Sequence, residues 1–251
     1  MKTVFALLAA CSLSAVPAAL SMDAATYRKV KTLQANVDQA FLLQYLHRNK
    51  EHVQPASGQI RDIGVRIVRA TGRAFSNKCH FYAVDEPVVN ASTSPGGNIF
   101  IYQGLLGAGL TQDEMAALLG HEIGHILRYH WLARLQRNMD AQRMAQYTAK
   151  SYGRNSAQIA YLMQAMRNLA YDRNEEFEAD QTGVQLMVDA GFDPRGMASL
   201  LGKVQALQSP RQAKAASNPY LASHPAIPDR IARIQAILGA GSLKPTRKRL
   251  F

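Results

Sequence analysis

The chain is poor in several things, and each shortage excludes a class of protein. Its 251 residues hold only two cysteines, Cys11 and Cys79, too few for a small scaffold stapled by disulfides. Acidic residues number 18 against 29 basic ones, a formal net charge of +11. Beyond the N-terminal segment, no stretch approaches 18 uninterrupted apolar residues, so the mature chain offers no membrane-spanning helix. Aromatics make up only 8% of the chain and are not interleaved with basic residues in any recognised module, which argues against a nucleic-acid partner. What the chain does have is 47% apolar residues, enough to bury a sizeable core in a globular domain.

The N-terminus reads as a targeting segment. Lys2 precedes an apolar run from Val4 to Ala10, and small residues follow. Val16-Pro17-Ala18 suits signal-peptidase cleavage after Ala18, giving a signal peptide over 1–18. Leu8-Ala9-Ala10-Cys11 also fits a bacterial lipobox, with Cys11 lipidated as the first mature residue; a retained N-terminal anchor is the third alternative. The first two place the protein in the periplasm or cell envelope of a bacterium, the second as an outer-membrane lipoprotein. Residues 19–241 form the expected domain, and 242–251 a basic tail carrying Lys244, Arg247, Lys248 and Arg249. Such a tail is either a solvated end or a peripheral contact to anionic lipid. With Cys11 removed or lipidated, Cys79 is expected as a buried free thiol.

Along the domain the apolar spacing alternates between two periods. Val30, Leu33, Val37, Phe41 and Leu42 predict a helix within 23–50, and Ile60, Ile63, Ile67 and Val68 predict a second, ending at Gly72. Cys79–Val84 and Asn98–Tyr102 read as strands, joined by a loop holding Pro87, Asn90, Pro95, Gly96 and Gly97. From Thr111-Gln112-Asp113-Glu114, a capping box, the pattern is helical. That helix is expected to run to about residue 140 on ordinary propensity, with Gly120 and Gly124 tolerated inside it. Another helix covers about 167–190 and stops at Gly191, while Pro194 and Pro228 suit first helical turns. The fold class is therefore α+β, mostly helical with a small sheet.

One motif carries chemistry. His121-Glu122-Ile123-Gly124-His125 is HExxH inside the capped helix. Residues i and i+4 lie about 40° apart around a helix and one turn along it, so two imidazoles can close on one ion. Neutral imidazole suits Zn²⁺, and Glu122 stands where it can take a proton from water activated by the ion. With the His and Glu content of this chain, chance produces the pattern at roughly half a percent. The neighbouring Leu118, Leu119, Ile123, Ile126 and Leu127 make the helix apolar and buried, where histidines need partners. A catalytic site needs a third protein ligand. His130 lies nine residues after His121, about 180° around a continued helix, and does not serve. Glu176 and Asp180, in Asn174-Glu175-Glu176-Phe177-Glu178-Ala179-Asp180, share one helix face. They can supply a carboxylate ligand and a second carboxylate that fixes a histidine tautomer.

Together these motifs resemble the M48 family of zinc metallopeptidases, a gluzincin type, over residues 25–240. The family pairs HExxH with a later segment matched here by Glu176-Phe177-Glu178-Ala179-Asp180, and ends on a Ser/Thr-His-Pro matched by Ser223-His224-Pro225. The resemblance implies one Zn²⁺ per chain held by His121, His125 and Glu176, with Asp180 behind them and Glu122 as general base. It implies that His224 either stabilises the oxyanion or gates the metal. Asn90-Ala91, Pro95-Gly96-Gly97 and an edge strand over Asn98–Tyr102 match the family's substrate-binding stretch, implying substrate contacts at Asn90, Ile99, Phe100 and Ile101. The implied activity is endopeptidase cleavage of unfolded or misassembled envelope polypeptides. The alternative is a metal-dependent holdase or assembly factor with little proteolysis. Residues 140–166 and 208–222 are candidate loops to cover the site.

Overall fold

A computed structural model describes residues 24–48, 51–72, 79–134, 173–207, 220, 223–241 and 243–246. The targeting segment with Cys11 and Ala18, the loop 140–166, all of 208–222 except Tyr220, and the last five residues of the tail lie outside them. In chain order the elements are α1 (Ala24–Arg48), β1 (Val53–Pro55), α2 (Gly58–Ala70), β2 (His80–Val84), β3 (Ala91–Thr93), β4 (Asn98–Tyr102), α3 (Gln103–Leu106), α4 (Gln112–Leu127), α5 (Arg173–Asp189), α6 (Gly196–Ala206) and α7 (Ile227–Gly239). This is the expected α+β class, largely helical with one four-stranded sheet.

Helix α4 starts where its capping box places it. Thr111 Oγ1 accepts from the Glu114 backbone N–H at 3.2 Å, and Glu114 Oε2 accepts from the Thr111 N–H at 2.7 Å. From Glu114 to Ile126 every residue is buried, which is what an all-round apolar helix requires; α2, α5 and α6 pack around it, with β3 beside them. The helix does not reach residue 140. It ends at Leu127, and Tyr129 takes φ 56°, a left-handed conformation, before helix resumes over 130–134. Neither glycine nor proline marks this break, so the residue pattern gave no sign of it.

The sheet has the order β1-β2-β4-β3, with β2 and β4 parallel and the outer pairs antiparallel. Two strands were absent from the sequence pattern: β1, which Pro55 closes, as proline can at an edge, and β3, which lies inside the expected loop. Strand β4 is therefore not an edge, since β2 and β3 occupy both its sides. Its alternation divides the core: Ile99 and Ile101 join the main cluster with α4, while Phe100 faces the other way onto Tyr45 of α1 (ring centroids 4.7 Å) and Tyr82 (5.1 Å). Helix α1 is latched to the β3–β4 turn by Asp38, which accepts from Ser94 Oγ, from the Gly96 N–H at 2.9 Å and from Asn98 Nδ2 at 3.0 Å. A Cβ on Gly96 would meet that carboxylate at 2.0 Å, so a larger residue would displace the latch. Cys79 is a half-buried free thiol, its pKa pushed up to about 12 by burial. The first tail residues are tied down: Thr246 N–H donates to Asp189 at 2.8 Å, and the Lys244 carbonyl accepts from Gln185 at 3.0 Å.

The contact that positions everything downstream is between α4 and α5. Their backbones touch: a Cβ on Gly124 would lie 2.7 Å from the Ala179 carbonyl oxygen, one on Gly120 would lie 3.1 Å from the Gly183 oxygen, and one on Gly183 would lie 2.9 Å from Gly120 C and His121 N. Gly120 and Gly124 are thus required rather than tolerated. Gly124→Ala should destabilise the chain by about 1–3 kcal/mol through overpacking. Gly202→Ala in α6, with nothing within 4 Å of its Cβ, should stabilise it by roughly 0.5–1 kcal/mol. Urea denaturation of the two variants beside the parent checks both signs.

Candidate metal centre

Four side chains from three parts of the fold converge at the α4–α5 contact. His121 and His125 stand one turn apart on α4, their Nε2 atoms 3.0 Å from each other. Glu176, in the first turn of α5, places Oε1 3.3 Å from His125 Nε2 and Oε2 3.7 Å from His121 Nε2. His224, just before α7, places Nδ1 3.2 Å from His121 Nε2 and 3.1 Å from Glu176 Oε1. All four are buried, and one ligand atom from each lies within 4.8 Å of the others.

These separations fit one small cation. Four N or O donors about 2.0–2.1 Å from an ion in a tetrahedron stand roughly 3.3–3.4 Å from one another, against the 3.0–3.7 Å found. The charges fit too. Glu176 and Asp180 are buried carboxylates held ionised, and Arg230 is the one buried guanidinium paired with both, so this group keeps an excess of negative charge. A bound cation would balance it.

Each ligand is held from behind. Asp180 Oδ1 lies 2.9 Å from His121 Nδ1, which puts the histidine's proton on Nδ1 and leaves Nε2 bare. Asp180 is itself clamped by Arg230, whose Nε and Nη2 donate to Oδ2 and Oδ1, both at 2.7 Å. Arg230 Nη1 forms an ion pair with Glu176 Oε2 at 2.6 Å. Burial raises the Asp180 carboxyl, but the charge and hydrogen bonds of Arg230 outweigh it and hold it below the ordinary value. Burial opposes ionisation of Glu176 as well, yet His224, Arg230 and the hydrogen bonds from His125 and His224 keep it well below the carboxylate range. His125 is lowered well below 6.5, by burial first and then by His121. The donor set is thus ionised at Glu176 and neutral at His125 at neutral pH, the state a metal needs.

The structure brings together His121, Glu122, His125, Glu176, Asp180 and His224, all named from the sequence. Glu122 is fully buried and neither of its oxygens makes a hydrogen bond, with His224 Nε2 3.7 Å away. Asn90 sits immediately before β3. Ile99, Phe100 and Ile101 do not form a binding edge, because β4 is an interior strand whose backbone groups already face two neighbours. Two further residues border the centre. Arg230 shares an α7 face with Ile227 and Ile234, and an arginine inside an apolar stripe was the available signal. His130, dismissed on helical geometry, lies with Nδ1 2.8 Å from His125 Nδ1 because the helix breaks at Tyr129.

A family model described as peptidase family M48 matches residues 55–238. The chain is 25% identical over 201 residues to the mitochondrial metalloendopeptidase OMA1 of Schizosaccharomyces pombe, covering 80% of this chain and 58% of that protein. It is 29% identical over 158 residues to the beta-barrel assembly-enhancing protease of Yersinia pestis, covering 58% of this chain and 32% of the relative. It is also 25% identical over 201 residues to the metalloprotease LoiP of Escherichia coli, covering 78% and 77% respectively. The matched region thus spans 58% of the first of these relatives and about a third of the second.

Arg230→Met should leave two buried carboxylates without their cation and cost the metal-free chain about 3–5 kcal/mol, read as a lower urea midpoint. Because Glu176 and Asp180 titrate lower folded than unfolded, the unfolded chain takes up protons first as pH falls. His125 is likewise lowered when folded, so the parent's stability should begin to decline as the pH drops below 6.5, and decline further below the free-carboxylate values of 4.5 and 3.8.

Proposed function

The chain belongs to peptidase family M48, and from that footing we propose that it is a zinc-dependent endopeptidase acting on unfolded or misassembled polypeptides of a bacterial cell envelope. The observation that carries this reading is Glu122: a fully buried carboxylate with no hydrogen bond, beside a closed set of metal donors. Burying a charged, unsatisfied acceptor is costly, and a general base that meets its partner only when water and substrate arrive accounts for it. Imidazole and carboxylate donors suit Zn²⁺. Bound there, Zn²⁺ would polarise a carbonyl and lower the pKa of water.

The chain's own groups supply the rest. Glu122 takes the proton of the attacking water and returns it to the departing amine. Asp180 keeps His121 in one tautomer, and Arg230 keeps Asp180 and Glu176 in place. His224 completes the donor set at four through Nδ1, so it must turn away before a carbonyl can enter; once displaced, its ring can donate to the developing oxyanion. This makes His224 a gate first and an oxyanion donor second.

For substrate, the edge of the sheet moves from β4 to β3. Tyr102 N–H donates to the Asn90 carbonyl, and Ser94 N–H to that of Asn98. In the alternating antiparallel ladder, Ser92 therefore faces β4, while the N–H and C=O of Ala91 and Thr93 point outward. An extended polypeptide can add there as a strand, held by backbone bonds with little demand on its side chains. The Asn90 Oδ1 atom is buried without a hydrogen bond and can accept one from such a chain. Tyr220, four residues before His224, donates its N–H to Val89 at 3.3 Å, which links the edge to the gate.

The envelope setting rests on the export signal and on the name of the assembly-enhancing relative. No helix among the described residues is long and apolar enough to cross a membrane. The mass of the mature N-terminus distinguishes lipidation at Cys11, cleavage after Ala18 and a retained N-terminal anchor. The four-donor set also favours a second reading, a metal-dependent holdase that rarely cuts.

Casein cleavage separates the two readings. The parent should cleave casein and lose that activity to a zinc chelator. Glu122→Gln should keep one zinc per chain while cleavage falls by about 10²–10⁴-fold; persistent cleavage would exclude Glu122 as the base. A parent that never cuts but suppresses aggregation would establish the holdase. Thr93→Pro, which removes an outward N–H from β3, should raise KM for casein at unchanged zinc content.

A further inference from the structure

The two histidines on α4 are not held alike. His121 has a carboxylate behind it, clamped by arginine. His125 has another imidazole, and the backbone goes out of its way to place it. Tyr129 at φ 56° occupies a region that residues with a side chain seldom enter. It is nonetheless buried, with the Lys31 ammonium of α1 5.1 Å from its ring centre, and its carbonyl accepts from the Leu132 N–H at 2.8 Å. In a continued helix, residue 130 would point about 140° away from residue 125. Here it folds back, so that the rings of His125 and His130 stand 4.9 Å apart at 71°, with Nδ1 to Nδ1 at 2.8 Å. On its far side, His130 Nε2 lies 3.4 Å from Oε2 of Glu178, whose side chain is 37% exposed.

Proton placement follows from these contacts. His125 Nε2 faces His121 Nε2 and Glu176 Oε1, so in a metal site it carries the lone pair and the proton sits on Nδ1. That proton is donated to His130 Nδ1, which must then be bare. The proton of His130 is left on Nε2, directed at Glu178. We propose that His130 is the positioning residue of the metal ligand His125, fixing its tautomer and ring angle through the Nδ1–Nδ1 hydrogen bond in a relay that ends at Glu178. The proposal rests on the metal-site reading above. A neutral imidazole is a weaker acceptor than a carboxylate, so His125 is the more loosely held of the two ligands.

The test uses the full mature chain. Zinc affinity is measured by competition with a chromophoric chelator, and ligand geometry by the visible spectrum of the Co²⁺-substituted protein, for the parent, His130→Leu and His130→Asn. Asparagine offers a carbonyl near the place of Nδ1; leucine offers only volume. His130→Leu should weaken zinc binding about 10–100-fold and shift the cobalt bands, and His130→Asn should restore both toward the parent. Equal weakening in both variants, or none in either, overturns the proposal. Should the leucine variant fail to fold, ¹⁵N imidazole spectra of the zinc-loaded parent decide. A proton on Nε2 of His130 supports the relay, and one on its Nδ1 overturns it. A parent that takes up no zinc overturns the metal-site reading itself, and this proposal with it.

Discussion

Two helices lie with their backbones in contact, and the chemistry of this protein depends on that contact. Glycines at 120, 124 and 183 and the small Ala179 remove the side chains that would normally hold α4 and α5 at ordinary helix spacing. Only at that distance can a carboxylate one turn into α5 reach two imidazoles on α4. The same glycines that look like weak points for helix propensity are therefore what joins a ligand pair to its third member.

Close approach also buries charge. Three carboxylates and one guanidinium sit in a region without solvent, and such an arrangement is costly unless every group is paired. Arg230 satisfies most of that demand: both nitrogens of its fork engage Asp180 and the third faces Glu176. The negative charge left over has the sign that a bound cation would balance. Glu122 stands apart from this network, buried and without a hydrogen bond, and reactivity rather than stability explains its place. Structure and chemistry thus divide the buried acids between them: two are held, one is kept available.

The sheet serves the centre from the side. Its inner face contributes Ile99 and Ile101 to the core around α4, and its outer face is closed by Tyr45 of α1 over Phe100. The Asp38 latch holds α1 to the β3–β4 turn. With β4 enclosed and β3 outermost, backbone groups of Ala91 and Thr93 are left facing outward, close to the segment that carries His224. Binding edge, gate and donor set are then neighbours.

Much of the centre was legible in the residues. HExxH with i, i+4 spacing, the capping box that starts α4, and the Glu176/Asp180 face depend on helical periodicity, a local property that the chain specifies within a turn or two. The α+β class followed from the same periodicities. What the sequence could not decide was everything that depends on non-local neighbours. Whether Asn98–Tyr102 was an edge or an interior strand was decided by the pairing of three-residue strands too short to leave a pattern. The role of Arg230 required α7 to pack over Asp180, fifty residues earlier in the chain. His130 is not among the metal donors, as helical spacing implied, but it lies against His125 because a single left-handed tyrosine, buried and facing a lysine from α1, ended a helix that propensity would have continued. Local spacing chose which groups could bind a metal; packing between distant elements chose which of them met, and what stood behind each.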